Sequence, residues 1–336
     1  MGAPALIGPH SATGPVVRSR SRRPYTAFVF SGGSSLGALQ VGMLGALYER
    51  GISPDVLVGT SRGSLNAAFV ASRPQTPATA GELARVWCDI HREDVFPVSV
   101  RALVAGLCGQ RDHLVPDRAL RREVRRHVEF EDLSDARIPM HLVAFDVIEG
   151  REALLSQGPV VDAIAASAAL PGLFPPVPIG ERLLIDGSVV NNTPISHAVE
   201  LGAERIYVLP TQERWHPLGR APRGALDTAL NALDLLVEGR LRADLARYSS
   251  EAELIVLPAP NSLRVQPTDF AHARHLIGEA HAAGRDLLTR RGTTHRRLTL
   301  LAKSADERVS RERHRQRRSA SKTTPRERKS HVDAHV

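Results

Sequence analysis

One pentapeptide constrains this chain more than any other stretch. Gly59-Thr60-Ser61-Arg62-Gly63 stands between the β-branched run Val56-Leu57-Val58 and the helix-forming run Leu65-Asn66-Ala67-Ala68. A G-x-S-x-G sequence between a strand and a helix folds into a tight elbow. The serine sits on a strained turn with its hydroxyl exposed, and its neighbours must be small because the two backbones nearly touch. Gly59 and Gly63 meet that demand. Alone, the pattern also fits an ordinary βα turn, so the rest of the chain must supply partners for Ser61.

A second strand-turn-helix precedes it. Thr26-Ala27-Phe28-Val29-Phe30 reads as a buried strand, Ser31-Gly32-Gly33-Ser34-Ser35-Leu36-Gly37 as a glycine turn, and residues 38–50 as a helix with Leu39, Met43, Ala46 and Leu47 at helical spacing. Uncovered amides at a helix start bind anions, and the same donors can hold the oxyanion of an acyl-transfer intermediate. Gly32, Gly33 and Ser34 are therefore candidate oxyanion-hole residues. The rival is a dinucleotide fingerprint. It fits poorly, because Ser34 stands where G-x-G-x-x-G needs a glycine and no acidic residue closes the strand at Val56 to Val58.

A serine hydroxyl needs a base before it attacks. Asp186 is the candidate: it ends the apolar run Leu183-Leu184-Ile185, at the strand end where α/β folds place reacting groups, and Gly187 lets the chain turn behind it. Asp-Gly also closes many strands as a simple turn. The competing triad uses a histidine after the acid, as in α/β-hydrolases, and His197, His272, His275 and His281 follow Asp186. The last three fall in a helical pattern mixed with Ala and Arg, which a solvated surface explains.

Composition narrows the chemistry further. All three lysines, Lys303, Lys322 and Lys329, lie near the C-terminus, against 41 arginines. The body of the chain therefore has no Ser-Lys dyad, Schiff-base lysine or P-loop lysine. Cys88 and Cys108 have no metal-ligand spacing and form no disulfide framework, which predicts a reducing compartment. No metal or organic cofactor is expected. The net charge of +8 sits in the ends: residues 1–24 carry +4 and residues 303–336 carry +6, leaving −2 between them. A near-neutral body with basic ends argues against a nucleic-acid-binding domain. No apolar run reaches the roughly 20 residues of a spanning helix. The expected location is the cytoplasm, with peripheral membrane contact through the basic ends left open.

Strands alternating with helices predict a three-layer α/β/α sandwich with a mostly parallel central sheet. We expect a disordered basic lead over residues 1–24, one hydrolase domain over 25–290 with a helical insertion over 74–138, and a basic disordered tail over 291–336. Residues 166–177 read as a proline-stiffened loop and a final helix is expected over 269–289. Within the insertion, Arg118, Arg121, Arg122, Arg125 and Arg126 share one helix face, which suits either solvent or phosphate head groups.

Taken in order, four blocks resemble the patatin-like phospholipase family: the glycine turn, the elbow, Ala166-Ser167 to Pro171 with Phe174-Pro175-Pro176-Val177, and Asp186-Gly187 with Asn191-Asn192-Thr193-Pro194. The resemblance implies an α/β/α fold and a Ser-Asp dyad without a catalytic histidine. It assigns Ser61 as nucleophile, Asp186 as base and the amides around Gly32, Gly33 and Ser34 as oxyanion hole. The implied activity is hydrolysis of lipid acyl esters, of phospholipid or lysophospholipid, through an acyl-enzyme. Four positions depart from the family pattern: Ser34 replaces a third glycine, Leu36 an arginine, Arg62 a small residue, and Ser188 a Gly or Ala. Beside the nucleophile, Arg62 is a candidate substrate-binding residue for an anionic head group or carboxylate. Ser34 and Leu36 keep a second reading open, a patatin-fold lipid-binding or scaffold protein with a weakened site.

Overall fold

The computed structural model describes residues 23–91, 95, 113–212, 225–260, 262–263, 265 and 269–292. Cys108, most of the expected lead and tail, and part of the 74–138 segment lie outside them. The strands are β1 Thr26–Phe30, β2 Val56–Thr60, β3 Met140–Asp146, β4 Arg151–Leu155, β5 Val177–Ile179, β6 Arg182–Asp186, β7 Arg205–Leu209 and β8 Glu253–Val256. The helices are α1 Ala38–Tyr48, α2 Arg62–Ala71, α3 Pro77–Asp89, α4 Arg118–His127, α5 Val160–Ser167, α6 Ser188–Asn191, α7 Ile195–Glu200, α8 Ala225–Tyr248 and α9 Ala273–Gly292. The sheet order is β5-β6-β3-β2-β1-β7-β8, and β4 also pairs with β3.

Why two helical layers form can be read along β1. Strand side chains alternate between faces, and here both faces are apolar. Phe28 and Phe30 join Leu57, Leu39, Met43 and Ala280 in one core, under α1, α2 and α9. Ala27 and Val29 join Val56, Val58, Ile195, Ala198 and Tyr248 in the other, under α7 and α8. The central strands β3, β2, β1, β7 and β8 run parallel, as a sheet buried on both faces does. The expected α/β/α architecture with a mostly parallel sheet is what the chain adopts.

One side of the sheet departs from the parallel rule. β4, β5 and β6 all pair antiparallel, and β5 starts at Val177, the last residue of the proline-rich stretch read from sequence as loop. Pro178 is tolerated because β5 is the sheet's last strand, with only one neighbour to bond. Registers along β3 matter most. β4 covers Leu142 to Asp146 on one edge; on the other, β2 ends with Thr60 opposite Val143 and β6 ends with Asp186 opposite Ala144. Two strands thus run toward each other along one edge of β3 and meet end to end.

Helix boundaries shift slightly from expectation. α9 starts four residues later than expected and runs to Gly292, into the segment assigned to the tail. In α4, Leu120 and Val124 are buried, while Arg121 does not join an open basic face. It is tied to Asp117 and Asp162. Arg118, Arg122, Arg125 and Arg126 are exposed. Among the described residues, no helix is long and apolar enough to cross a membrane.

Candidate active site

The meeting of β2 and β6 creates the site. Ser61 follows β2 directly, at φ 55° and ψ −129°, a strained conformation for a side-chain-bearing residue. Close packing holds it there. A Cβ on Gly63 would sit 2.5 Å from the Phe30 carbonyl oxygen, and one on Gly59 2.9 Å from Cα of Ser64. Both elbow glycines are therefore required by the approach of strand to helix.

Ser61 Oγ donates to Asp186 Oδ2 at 2.6 Å. The second carboxylate oxygen, Oδ1, accepts the Ser188 amide at 2.8 Å, and the Asp186 amide donates to the Ala169 carbonyl at 2.9 Å. Asp186 is 1% exposed. Burial pushes its carboxyl up to about 6, against the hydrogen bonds from Ser61 and Ser188 that favour the charged form. A carboxyl in that range is a better base near neutrality than an exposed aspartate.

Ser167 has a role that the sequence did not assign. Its Oγ accepts the Ser61 amide at 3.0 Å and donates to the Val143 carbonyl at 2.7 Å, tying the nucleophile's backbone to β3. Only its place in the Ala166-Ser167 block signalled it.

The glycine turn lies across the site. Its amides are not equivalent, which corrects the expectation for Gly32: that N–H donates to the Asn192 carbonyl at 3.1 Å and is spent. The amides of Gly33 and Ser34 donate to no group among the described residues. Ser34 takes φ 50°, so it accepts the left-handed backbone where a glycine would be unstrained. Buried polar side chains fix the turn. Gln40 Nε2 donates to the carbonyls of Ser31 (2.8 Å) and Leu209 (2.9 Å), Asn66 donates to Gln40 at 2.7 Å, and Trp87 Nε1 donates to Asn66 at 2.9 Å. Thr211 and Asn192 side chains both donate to the Gly32 carbonyl. Leu36 is buried in the core, so it offers no charge to the turn.

Ser61, Asp186 and the turn line one cavity of about 210 Å³ whose other walls include Leu120, Leu170, Leu173, Phe174, Val237 and Leu241. Arg62 lines it too. None of the candidate histidines does. His197 contacts Glu152 (2.9 Å) and Glu200 (3.0 Å), while His272, His275 and His281 pair with Asp269, Glu279 and Glu49.

The sequence model for patatin-like phospholipase matches residues 28–199, which span Ser61, Asp186, Ser167 and the glycine turn, while Leu209, Thr211 and the α8 wall of the cavity lie beyond it. The chain belongs to the patatin-like phospholipase family. An uncharacterized NTE family protein of Mycobacterium tuberculosis is 30% identical over 250 residues, covering 68% of this chain and 40% of that protein. Patatin-like phospholipase domain-containing protein 6 of Homo sapiens is 28% identical over 185 residues, 54% of this chain and 13% of that one. This patatin-like chain thus spans well under half the length of either relative. Among solved structures, VipD of Legionella pneumophila is similar at 13% identity and a TM-score of 0.40, covering 80% of this chain and 66% of that one.

Proposed function

We propose that this chain hydrolyses acyl esters of lipids, of the phospholipid or lysophospholipid class, through an acyl-enzyme on Ser61. The observation that carries the reading is the 2.6 Å bond from Ser61 Oγ to a buried Asp186 carboxyl, with no other acid or base on the hydroxyl among the described residues. Asp186 removes the Ser61 proton as Oγ attacks the ester carbonyl. The amides of Gly33 and Ser34 receive the oxyanion, and Asp186 passes the proton to the departing alcohol. Water then attacks the acyl-enzyme, Asp186 takes its proton, and the fatty acid leaves as Ser61 is reprotonated. The apolar walls of the cavity suit an acyl chain. The basic ends outside the described residues serve as contacts to an anionic membrane, each Lys or Arg contributing about 1 kcal/mol. Salt-sensitive vesicle binding that survives deletion of residues 303–336 would remove that role from the C-terminal end.

Intact-mass detection of a covalent adduct with a fluorophosphonate ester tests the hydrolase reading. One adduct on wild type, mapping to Ser61, absent in Ser61→Ala and much slower in Asp186→Asn, is expected. A folded wild-type chain that takes no adduct would instead support the lipid-binding alternative.

A further inference from the structure

The dyad leaves Arg62 unexplained. It begins α2 directly after the nucleophile and is 7% exposed. Among the described residues, its Nε is buried without a hydrogen-bond partner and the side chain forms no ion pair. Its Cζ lies over the Trp87 ring, 4.8 Å from the centroid. Trp87 is in turn held by its hydrogen bond to Asn66. Stacking covers one face of the guanidinium and leaves its in-plane N–H donors unspent.

The neighbouring charges do not close this account. Glu123 on α4 is the carboxylate whose field reaches Arg62, but it is held by His127 at 3.0 Å. Burial accordingly pulls the Arg62 guanidinium down to about 10, with Glu123 only partly opposing it. A buried cation without a bonded anion is costly, and the cost is recovered when an anion arrives. Arg62 also stands at a junction. It lines both the cavity holding Ser61 and Asp186 and the small cleft between α3 and α4 that contains Trp87, Glu123 and His127.

We infer that Arg62 is a specificity residue that receives an oxyanion carried by the ester substrate, selecting anionic acyl esters over neutral ones. This rests on the hydrolase reading above. The planar fork of the guanidinium matches a phosphate or carboxylate with two parallel N–H bonds, which a neutral ester cannot use.

The test compares two substrates with the same acyl chain that differ only in a phosphate: lysophosphatidic acid and monoacylglycerol. For the full chain, kcat/KM is expected to favour the phosphate-bearing ester about tenfold. In Arg62→Leu that ratio falls toward one, and in Arg62→Lys it is partly kept, because a point charge remains without the fork. A purely structural Arg62 would lower both rates together and leave the ratio alone, which overturns the inference; so does a wild-type ratio near one. If Arg62→Leu does not fold, Arg62→Lys and the wild-type ratio decide. Inorganic phosphate in the monoacylglycerol assay separates the two sources of anion: acceleration by free phosphate would assign Arg62 to a separate activator and overturn a substrate-borne group. If wild type turns over neither ester, the hydrolase reading fails on its own. Binding of the same pair to Ser61→Ala by calorimetry then reads Arg62 directly: tighter binding of the phosphate ester supports the site, and equal binding overturns it.

Discussion

Two turns leave neighbouring parallel strands at the same end of the sheet, and they are held in opposite ways. The elbow after β2 is set by contact: its glycines admit α2 against β1, and Ser61 is forced to positive φ where its hydroxyl projects. The turn after β1 is set by buried amides and hydroxyls. Gln40, Asn66, Asn192 and Thr211 saturate its outward groups and leave the Gly33 and Ser34 amides unspent. Each turn carries a serine at positive φ. In one the side chain is offered, in the other the backbone. A steric turn depends on nearby residues and a polar turn on distant ones, and that difference governs how each should break.

The largest effect is expected where the elbow meets its base. Asp186→Asn should lower kcat/KM about 10² to 10⁴, measured on any ester the wild type cleaves; a loss under tenfold would remove Asp186 from the base role. Next comes the steric half of the comparison. Gly63→Ala drives a methyl into the backbone carbonyls of Phe30 and Ser31 and should cost about 3 kcal/mol or more in denaturant unfolding. Gly33→Ala puts a methyl 2.4 Å from Thr211 Cβ, so Thr211 must shift with its backbone and surrender its bond to the Gly32 carbonyl. The cost should be about 1–3 kcal/mol, below that of a methyl driven into two main-chain carbonyls. Equal losses would dissolve the contrast.

The pH response sharpens it further. Asp186 has a folded value of about 6 against a reference near 4 for an unfolded aspartate. The folded chain therefore binds the extra proton between those values. Its contribution to stability is fully present below about pH 4 and is lost as pH rises to about 6, by about 3 kcal/mol. Activity should rise as pH passes through about 6, where the folded carboxyl ionises. Asp186→Asn should erase this share of the stability slope and raise Tm at pH 7. On the polar side, Gln40→Leu leaves the carbonyls of Ser31 and Leu209 without this donor and should cost about 1–3 kcal/mol, together with a drop in kcat as the turn loosens. The smallest effect belongs to Ser34→Gly: relief of positive φ and added freedom in the unfolded chain oppose each other, so stability should change by less than about 1 kcal/mol.

The same distinction explains what the sequence made legible. Gly59, Ser61 and Gly63 encode the elbow within five residues, and Asp186 announces itself by ending an apolar run. The alternation of strands and helices gave the layers because periodicity is local. The commitment of the Gly32 amide to Asn192, 160 positions away, leaves no local trace, nor does the anchoring of Ser61 by Ser167. The Trp87-Asn66-Gln40 chain reads in sequence as three unremarkable helix residues. β5 hides behind its prolines because edge strands tolerate what central strands refuse, and one of the two ion pairs of Arg121 depends on Asp162 from a different helix.

The end-to-end arrangement of β2 and β6 makes β3 a ruler. Thr60 and Asp186 are paired with consecutive residues, Val143 and Ala144, so the reach from hydroxyl to carboxylate is written in a strand that lends no side chain to the chemistry. One residue inserted between those two positions would lengthen the scale by up to about 3.3 Å and force a bulge opposite β4, which pairs across the same point. Ser61 would then be an ordinary alcohol, silenced by a change in spacing with every functional group still present.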